Sequence, residues 1–117
     1  RQPLAQGTLT GKYLGGQMPQ GSRLALFGDG PLMMRYKGDK TQQAIEMYVN
    51  LAKKYEIDPA QLAIQFCNIQ PFVTSTIIGA TTMEQLKTCI DSVDLDITKE
   101  IMNEIRGIHK EIPNPAP

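Results

Sequence analysis

The chain has 117 residues, enough for one domain with a modest core. Its 12 basic and 12 acidic residues balance, so no overall electrostatic field would recruit nucleic acid or an acidic membrane surface. A hydrophobic content of 41% is typical of a folded globular chain and excludes a disordered one. No apolar run reaches the length of a membrane span, and no signal-peptide pattern opens the sequence. We therefore expect a cytoplasmic protein that binds neither nucleic acid nor membrane.

The cysteine and histidine content limits the possible chemistry. Cys67 and Cys89 are the two cysteines, and they show neither a CxxC motif nor metal-ligand spacing. This pattern predicts free thiols in a reducing compartment. His109 is the single histidine, which excludes a metal site built from several histidines.

Glycine and proline punctuate residues 1–38 throughout. No helical or strand period persists there, so the pattern predicts a long irregular segment. Such segments are usually either functional or disordered, and composition leaves both interpretations open.

Regular helical spacing begins at Thr41 and predicts an amphipathic helix to about Glu56. Asp58 then has the character of an N-cap, with Pro59 at the first helical position. The helix that follows is apolar almost all round, which predicts burial on several sides until Pro71 ends it.

The stretch from residue 77 to residue 86, IIGATTMEQL, combines a short β-branched run, a glycine and a helix start. The β-branched run predicts a buried strand over Thr74–Ile78. Thr82 with Gln85 fits a capping box, and Thr81 with Glu84 fits one equally well. A strand, a glycine and a capped helix start can hold an anion on backbone N–H groups, or can simply form a strand-to-helix turn.

Two further helices complete the predicted elements. Met83, Leu86 and Ile90 form an apolar stripe on the first, and Thr98 opens the second, which carries isoleucines on one face. The sequence thus contains one convincing strand among helices. A buried strand needs neighbouring strands to satisfy its backbone groups, so the chain is predicted to be a piece of a larger fold.

Three stretches together resemble the C-terminal part of the aldo-keto reductases, most closely the Tas-like bacterial branch. They are PLAQGTLTGKYLGG at 3–16, DPAQLAIQF at 58–66 and QPFVTSTIIGATTMEQLKT at 70–88. The resemblance implies an α/β fold, in which this chain is the C-terminal fragment of a (β/α)8 TIM barrel. It would contribute the last strand and last helices and be mostly helical on its own. Residues 1–38 would form a cofactor-side loop, and residues 39–117 the helices and the last barrel strand.

The resemblance also implies NADP(H) as cofactor, bound at the C-terminal mouth of the barrel. The segment after the seventh barrel strand would lie along the pyrophosphate. Lys12 would place a positive charge near the phosphates, and Arg23 could bind a phosphate bidentately. The residues implied along the pyrophosphate are Pro3, Leu4, Ala5 and Gln6.

The turn after the last strand would hold the adenosine 2′-phosphate and the adenine. Gly79 would let the backbone approach closely, Thr81 would donate its hydroxyl, and Gln85 would lie within reach. Thr88 and Cys89 stand where the family usually has a Glu-Asn pair on the adenine amino group. Their weaker hydrogen bonding predicts a loss on the order of 1 kcal/mol per missing contact.

The family reduces aldehydes or ketones to alcohols with an Asp, Tyr, Lys and His set in the N-terminal half of its barrel. That half is not in this sequence, so the resemblance implies no catalytic residue here, and a carbonyl substrate would bind only in the complete barrel. Tyr48 and Tyr55 are predicted to be core residues, and His109 to lie near a helix C-terminus. The alternative hypothesis is a non-catalytic truncated helical module that self-associates to cover its strand.

Overall fold

The computed structural model describes residues 2–28 and 30–117. Two 3-10 helices open the described chain, a third lies near its C-terminal end, and the rest of the regular structure in the described residues is α-helical. The elements in chain order are 3-10 helices Ala5–Thr10 and Leu14–Gly16, α1 Arg23–Phe27, α2 Pro31–Met34, α3 Asp39–Lys54, α4 Pro59–Asn68, α5 Met83–Asp91, 3-10 helix Ser92–Asp94 and α6 Lys99–Glu111. The prediction that the chain is mostly helical on its own is confirmed.

The helix starts follow from side-chain capping. Asp58 Oδ1 accepts hydrogen bonds from Ala60 N at 2.8 Å and Gln61 N at 3.1 Å, and Pro59 is the first helical residue of α4. Thr98 Oγ1 accepts from the backbone N–H of Ile101 at 3.3 Å at the start of α6. These bonds satisfy N–H groups that have no partner within the helix, which confirms both predicted caps.

The amphipathic helix that the sequence predicts is α3. It begins at Asp39, two residues before the predicted start, and ends at Lys54, two before the predicted end. Tyr55 caps its C-terminus, and Glu56 has a φ of 57° that breaks the helical path. This left-handed residue turns the chain toward the Asp58 cap.

The hydrophobic core lies where α3, α4 and α6 meet. Its buried members are Leu51, Ala52, Leu62, Ile101, Ile105 and Ile108. Helix α4 is central because it also packs against α5 and the first 3-10 helix, and its Ile64 is 2% exposed. The predicted burial of this helix on several sides is therefore confirmed. Tyr48 and Tyr55 pack against the same core and are partly buried.

The segment 1–38 is less irregular than predicted, because four short helices, two of them 3-10 helices, occur among its described residues. Local caps explain why short helices form: Ser22 Oγ accepts from Ala25 N at the start of α1, and Pro31 opens α2. Tyr13 and Met33 are then buried at 7% and 3% exposure. The sequence pattern did not predict these helices, because each one is too short to show a helical period of apolar residues.

The predicted strand over Thr74–Ile78 is not formed, since the residues that the structure describes contain no strand. Ile77 is 76% exposed and nearby Phe72 is 81% exposed, whereas the sequence predicts a buried run. The hydroxyl of Thr76 is buried and has no hydrogen-bond partner among the residues that the structure describes. The physical reason is that a strand requires neighbouring strands for its backbone hydrogen bonds.

The apolar stripe of α5 also differs from expectation. Met83 and Ile90 are 79% and 55% exposed, so this face has no covering element in the described part of the chain. Helix α5 instead buries Cys89, and Gln61 Nε2 of α4 donates to the backbone oxygen of Thr88 at 3.1 Å. Helical spacing reveals an amphipathic face but not whether a partner covers it.

The tail after α6 returns to the region before α3. Arg35 Nη2 donates to the backbone oxygen of Ala116 at 3.0 Å, and Thr41 Oγ1 donates to the backbone oxygen of Pro115. Residues far apart in sequence thereby hold the tail against the start of α3.

Candidate functional site

Gln6 and Arg23, two of the predicted site residues, are in direct contact. Arg23 Nη1 donates a hydrogen bond to Gln6 Oε1 across 17 positions of sequence. Gln6 is 7% exposed, whereas Arg23 lies at the surface. No other hydrogen bond or ion pair of the Arg23 side chain occurs among residues 2–28 and 30–117. With respect to the described residues, the remaining guanidinium N–H groups are available to bind an anion.

The backbone under this contact has an unusual conformation. Ala5, Gln6 and Gly7 all have positive φ, at 48°, 62° and 91°. Positive φ costs little for glycine but is uncommon for the other two residues. Backbone strain of this kind persists only where surrounding contacts fix it, and it concentrates at functional sites.

Lys12 folds back over the same turn. A Cβ atom built on Gly7 would lie 3.1 Å from Lys12 Cε and 3.2 Å from Lys12 Nζ. The ammonium also lies 5.1 Å from the centre of the Tyr13 ring. Two cations, Lys12 and Arg23, therefore flank one tight turn. We call the five residues Gln6, Gly7, Lys12, Tyr13 and Arg23 the two-cation cluster.

Tyr13 was not predicted from the sequence to be a site residue. Its hydroxyl oxygen accepts a hydrogen bond from the backbone N–H of Leu24 at 3.4 Å, next to Arg23. It would also lie 3.6 Å from a Cβ on Gly7. The signal that could have found it is the aromatic residue directly after Lys12, because cations often pack on aromatic faces.

Pro3, Leu4 and Ala5 are partly buried residues that lead into the cluster. The backbone oxygen of Leu4 accepts from Gly7 N at 2.9 Å and from Leu9 N at 3.3 Å. These bonds close the turn. The predicted contact of Pro3, Leu4 and Ala5 with a pyrophosphate stays a prediction.

The second predicted group surrounds the start of α5. Gln85 N donates to Thr82 Oγ1 at 3.1 Å, so Thr82 is the N-cap. Gln85 Oε1 accepts from both the backbone N and the hydroxyl of Thr81, each at 3.0 Å. Of the two capping boxes that the sequence allows, the Thr82–Gln85 pair supplies the cap, while the alternative with Glu84 does not form. The Thr81 hydroxyl proton is engaged by Gln85.

Gly79, Thr88 and Cys89 complete the predicted residues. Gly79 is exposed, and a Cβ built on it would meet nothing within 4 Å among the described residues, so their packing does not require glycine there. Thr88 is partly buried, and Cys89 is 6% exposed. Burial, together with the negative charge of Asp58, raises the pKa of the Cys89 thiol. Cys89 is therefore a protonated, inward-facing thiol, and its predicted contact with adenine is untested.

The two groups lie on one scaffold but do not touch through hydrogen bonds. The first 3-10 helix and α5 each pack against α4, which places both groups on elements around the central helix. In the described ranges, no hydrogen bond or ion pair joins the two-cation cluster to Thr81 or Gln85. An open groove of about 440 Å³ borders the cluster on the side of α1 and α2, lined by Arg23, Phe27 and Met33 among others.

The chemistry available here is anion binding. Two cations and a hydroxyl-lined helix start suit phosphate groups, which accept charge-assisted hydrogen bonds. Within the part of the chain that the structure describes, no group of three or more His, Cys, Asp or Glu residues could hold a metal ion. None of the described helices is both long enough and apolar enough to cross a membrane.

Comparison with known proteins shows which sequences this chain resembles. The profile of the "Aldo/keto reductase family" matches residues 1–110. The chain is 47% identical to "Protein tas" of Escherichia coli (strain K12) over 114 residues, which are 97% of this chain and 32% of that protein. It is 38% identical to an "Aldo-keto reductase" of Babesia bovis over 92% of this chain and 38% of that protein. It is also 34% identical to a "Probable voltage-gated potassium channel subunit beta" of Oryza sativa subsp. japonica, over 95% of this chain and 34% of that protein.

A family match over nearly the whole sequence is decisive for class, and the chain belongs to the aldo/keto reductase family. The resemblance to its Tas-like branch is confirmed by the similarity to the E. coli protein. The family implies the (β/α)8 barrel, and this chain spans about a third of the length of the relatives it matches.

Proposed function

We propose that this chain is the C-terminal, NADP(H)-contacting part of an aldo-keto reductase that reduces aldehydes or ketones to alcohols. In this proposal, residues 1–38 contribute the phosphate-binding side of the cofactor site. Residues 39–117 contribute the last helices and, within the complete barrel, the last strand. The whole enzyme is a cytoplasmic oxidoreductase.

The observation that carries the proposal is the hydrogen bond between Arg23 and Gln6. Family resemblance nominates these residues through two separate motifs, and the fold joins them in one cluster together with Lys12. Arg23 and Lys12 bring two cationic donors to one tight turn. A phosphate-bearing ligand would supply oxygen acceptors for charge-assisted hydrogen bonds from both cations.

The residues present suit the phosphates of the cofactor. Arg23 offers a fork of N–H donors, Lys12 offers a compact charge, and the helix start at Thr82 adds the favourable dipole of α5. The Thr81 hydroxyl can donate to a phosphate when Gln85 turns aside. The open space at Gly79 permits close approach to the backbone. When bound, NADPH supplies the hydride for carbonyl reduction.

In this proposal, residues outside this chain carry out the catalytic proton transfer. The substrate is a small carbonyl compound that the complete barrel binds. The four tyrosines of this chain do not enter the proposed reaction. Tyr55, for example, donates its hydroxyl hydrogen bond to Glu104, which lies on α6 beside the core rather than in the cluster. The chain's own role is to bind and orient the cofactor.

A second candidate is favoured by the exposed apolar side chains of the segment before α5. Phe72 and Ile77 are 81% and 76% exposed, and Met83, the first residue of α5, is 79% exposed. Such exposure in a 117-residue chain suits a self-associating helical module. In the leading proposal, neighbouring barrel strands cover these side chains instead.

The experiment that tests the proposal is fluorescence titration of the complete reductase with NADPH and with NADH, followed by turnover with a panel of aldehydes and ketones. We expect tighter binding of NADPH and oxidation of NADPH that depends on the carbonyl compound. A complete protein that binds neither cofactor would overturn the proposal, whatever its turnover. Equal affinity for the two cofactors would show that the protein does not recognise the 2′-phosphate.

A further inference from the structure

Tyr13 is one of the buried hydrophobic residues of the chain. Its side chain is 7% exposed, yet it lies in the glycine-rich segment before α1 and is not a member of the cluster where α3, α4 and α6 meet. Several of its contacts lie in the two-cation cluster or next to it. The Lys12 ammonium lies over its ring, its hydroxyl accepts from Leu24 N, and Gly7 lies beside that hydroxyl.

We propose that Tyr13 is a positioning residue of the candidate cofactor site, whose ring holds the Lys12 ammonium over the Gln6–Gly7 turn. This inference rests on the proposed function, because it gives a role to Tyr13 within the same site. Tyr13 acts on the ligand only through Lys12.

Lysine needs such a support more than arginine does. Its ammonium is a point charge on a flexible four-carbon stem, whereas the Arg23 guanidinium is already fixed by its bond to Gln6. The negative face of an aromatic ring attracts a cation, and here the ring centre is 5.1 Å from Lys12 Nζ. We therefore infer that Tyr13 orients Lys12, just as Gln6 orients Arg23.

Glycine at position 7 completes this arrangement. Its φ of 91° favours glycine, and a Cβ there would press on the Lys12 side chain at 3.1 Å. The hydroxyl of Tyr13 is tied to the backbone at Leu24, which holds the ring in place from its far end. Ring, lysine and turn thus fix one another.

The test is a double-mutant cycle in the complete reductase, with the dissociation constant for NADPH as readout. Tyr13→Leu removes the ring and should weaken NADPH binding about two- to fivefold, the size of a surface cation–π contact. In a Lys12→Ala background, Tyr13→Leu should cause no further loss. Tyr13→Phe keeps the ring and should stay within about twofold of the wild type.

A spectroscopic readout accompanies the cycle. Ring currents should shift the Lys12 methylene protons next to the ammonium upfield in wild type and in Tyr13→Phe, and this shift should vanish in Tyr13→Leu. The matched control is Tyr36→Leu, which removes a ring lying 5.9 Å from the Arg35 guanidinium carbon outside the cluster. The control should leave NADPH affinity and the Lys12 signals unchanged.

The outcomes separate the two proposals. If wild-type protein binds NADPH but Tyr13→Leu weakens binding equally with Lys12 or Ala at position 12, Tyr13 is only structural and the inference is overturned. A loss in Tyr13→Phe as large as in Tyr13→Leu would overturn it too. If wild type does not bind NADPH although the Lys12 shift is present, the proposed function fails, and the ring–lysine contact stands without a cofactor role.

Discussion

Arg23 donates a hydrogen bond to the side-chain oxygen of Gln6, which ties the start of α1 to the left-handed turn at residues 5–7. The contact joins a surface cation to a buried amide. It orients one edge of the guanidinium inward and leaves the other donors available. Much of the proposed phosphate recognition depends on this relationship.

Replacing Arg23 with alanine should weaken NADPH binding by about tenfold or more in the complete reductase. A charge-assisted hydrogen bond is worth roughly 1.5–3 kcal/mol, and 1.4 kcal/mol corresponds to a factor of ten. We propose that Arg23 pairs with the additional 2′-phosphate of NADPH. NADH binding should therefore change much less, because NADH lacks this phosphate. Fluorescence titration with both cofactors measures the two effects.

Arg106→Ala is the matched control for this prediction, since Arg106 is an exposed arginine on α6 and lies outside the cluster. It should leave both affinities unchanged. Equal losses for NADPH and NADH in Arg23→Ala would show that Arg23 does not read the 2′-phosphate.

The start of α5 separates capping from ligand binding. Thr82→Ala removes the N-cap that Gln85 N engages and should lower the free energy of unfolding by about 1 kcal/mol. Thr81→Ala removes only the hydroxyl that donates to Gln85 Oε1. It should weaken NADPH binding with little loss of stability, as measured by chemical denaturation beside cofactor titration. The opposite pattern, a stability loss without an affinity change, would leave Thr81 as a capping residue alone.

Some of this structure could be predicted from the sequence because local chemistry determines it. The Asp58–Pro59 start of α4 and the Thr98 cap of α6 depend on residues within one helical turn, and both are confirmed. The Thr82–Gln85 pair was predictable for the same reason, although the sequence could not choose between it and Thr81–Glu84. That choice depends on the φ and ψ angles of Thr82.

Other features could not be predicted because they depend on distant partners. The strand over Thr74–Ile78 requires neighbouring strands, and the apolar face of α5 requires a covering element. The contact between Arg23 and Gln6 spans 17 residues and carries no local signature. Family resemblance nominated both residues, but their direct bond became visible only in the structure. The burial of Tyr13 in the same cluster was missed altogether.

The exposed segment before α5 predicts self-association of the isolated 117-residue chain. Ile77→Lys should reduce it, because a charge on an exposed apolar surface opposes burial against a second copy. Light scattering over a concentration series gives the mass. The control Met18→Lys alters an exposed apolar side chain outside this segment and should not change the mass. A monomeric wild-type chain at all concentrations would contradict the prediction.

The proposed location of the catalytic residues predicts that the isolated chain has no reductase activity. Purified 117-residue protein should not oxidise NADPH above background with any aldehyde or ketone. Absorbance of NADPH at its near-ultraviolet band follows the reaction, with the complete reductase as positive control. Turnover by the rigorously purified chain would show that its own residues perform the chemistry.

The contact between α3 and α6 at Tyr55 predicts how stability depends on pH. The Tyr55 hydroxyl donates to Glu104 Oε1, which also accepts from Lys54 Nζ at 2.8 Å. The hydrogen bond to Glu104 raises the pKa of Tyr55, with smaller contributions from burial and from the charge of Glu100. Hydrogen bonds from Lys54 and then Tyr55 lower the pKa of Glu104.

The two shifts act at opposite ends of the pH range. Since the folded state favours protonated Tyr55, its contribution is full below the ordinary tyrosine pKa of about 10 and is lost as pH rises above that value. The folded state favours ionised Glu104, so its contribution is full above the ordinary glutamate pKa of about 4.3 and is lost as pH falls below it. Denaturation midpoints from strongly acidic to strongly alkaline pH measure both effects. Tyr55→Phe should reduce the loss of stability at alkaline pH. Glu104→Gln should reduce the loss of stability at both alkaline and acidic pH. The control variants Tyr36→Phe and Glu111→Gln should show the wild-type dependence of stability on pH. An unchanged profile in Tyr55→Phe would show that this hydrogen bond does not link α3 to α6 in solution.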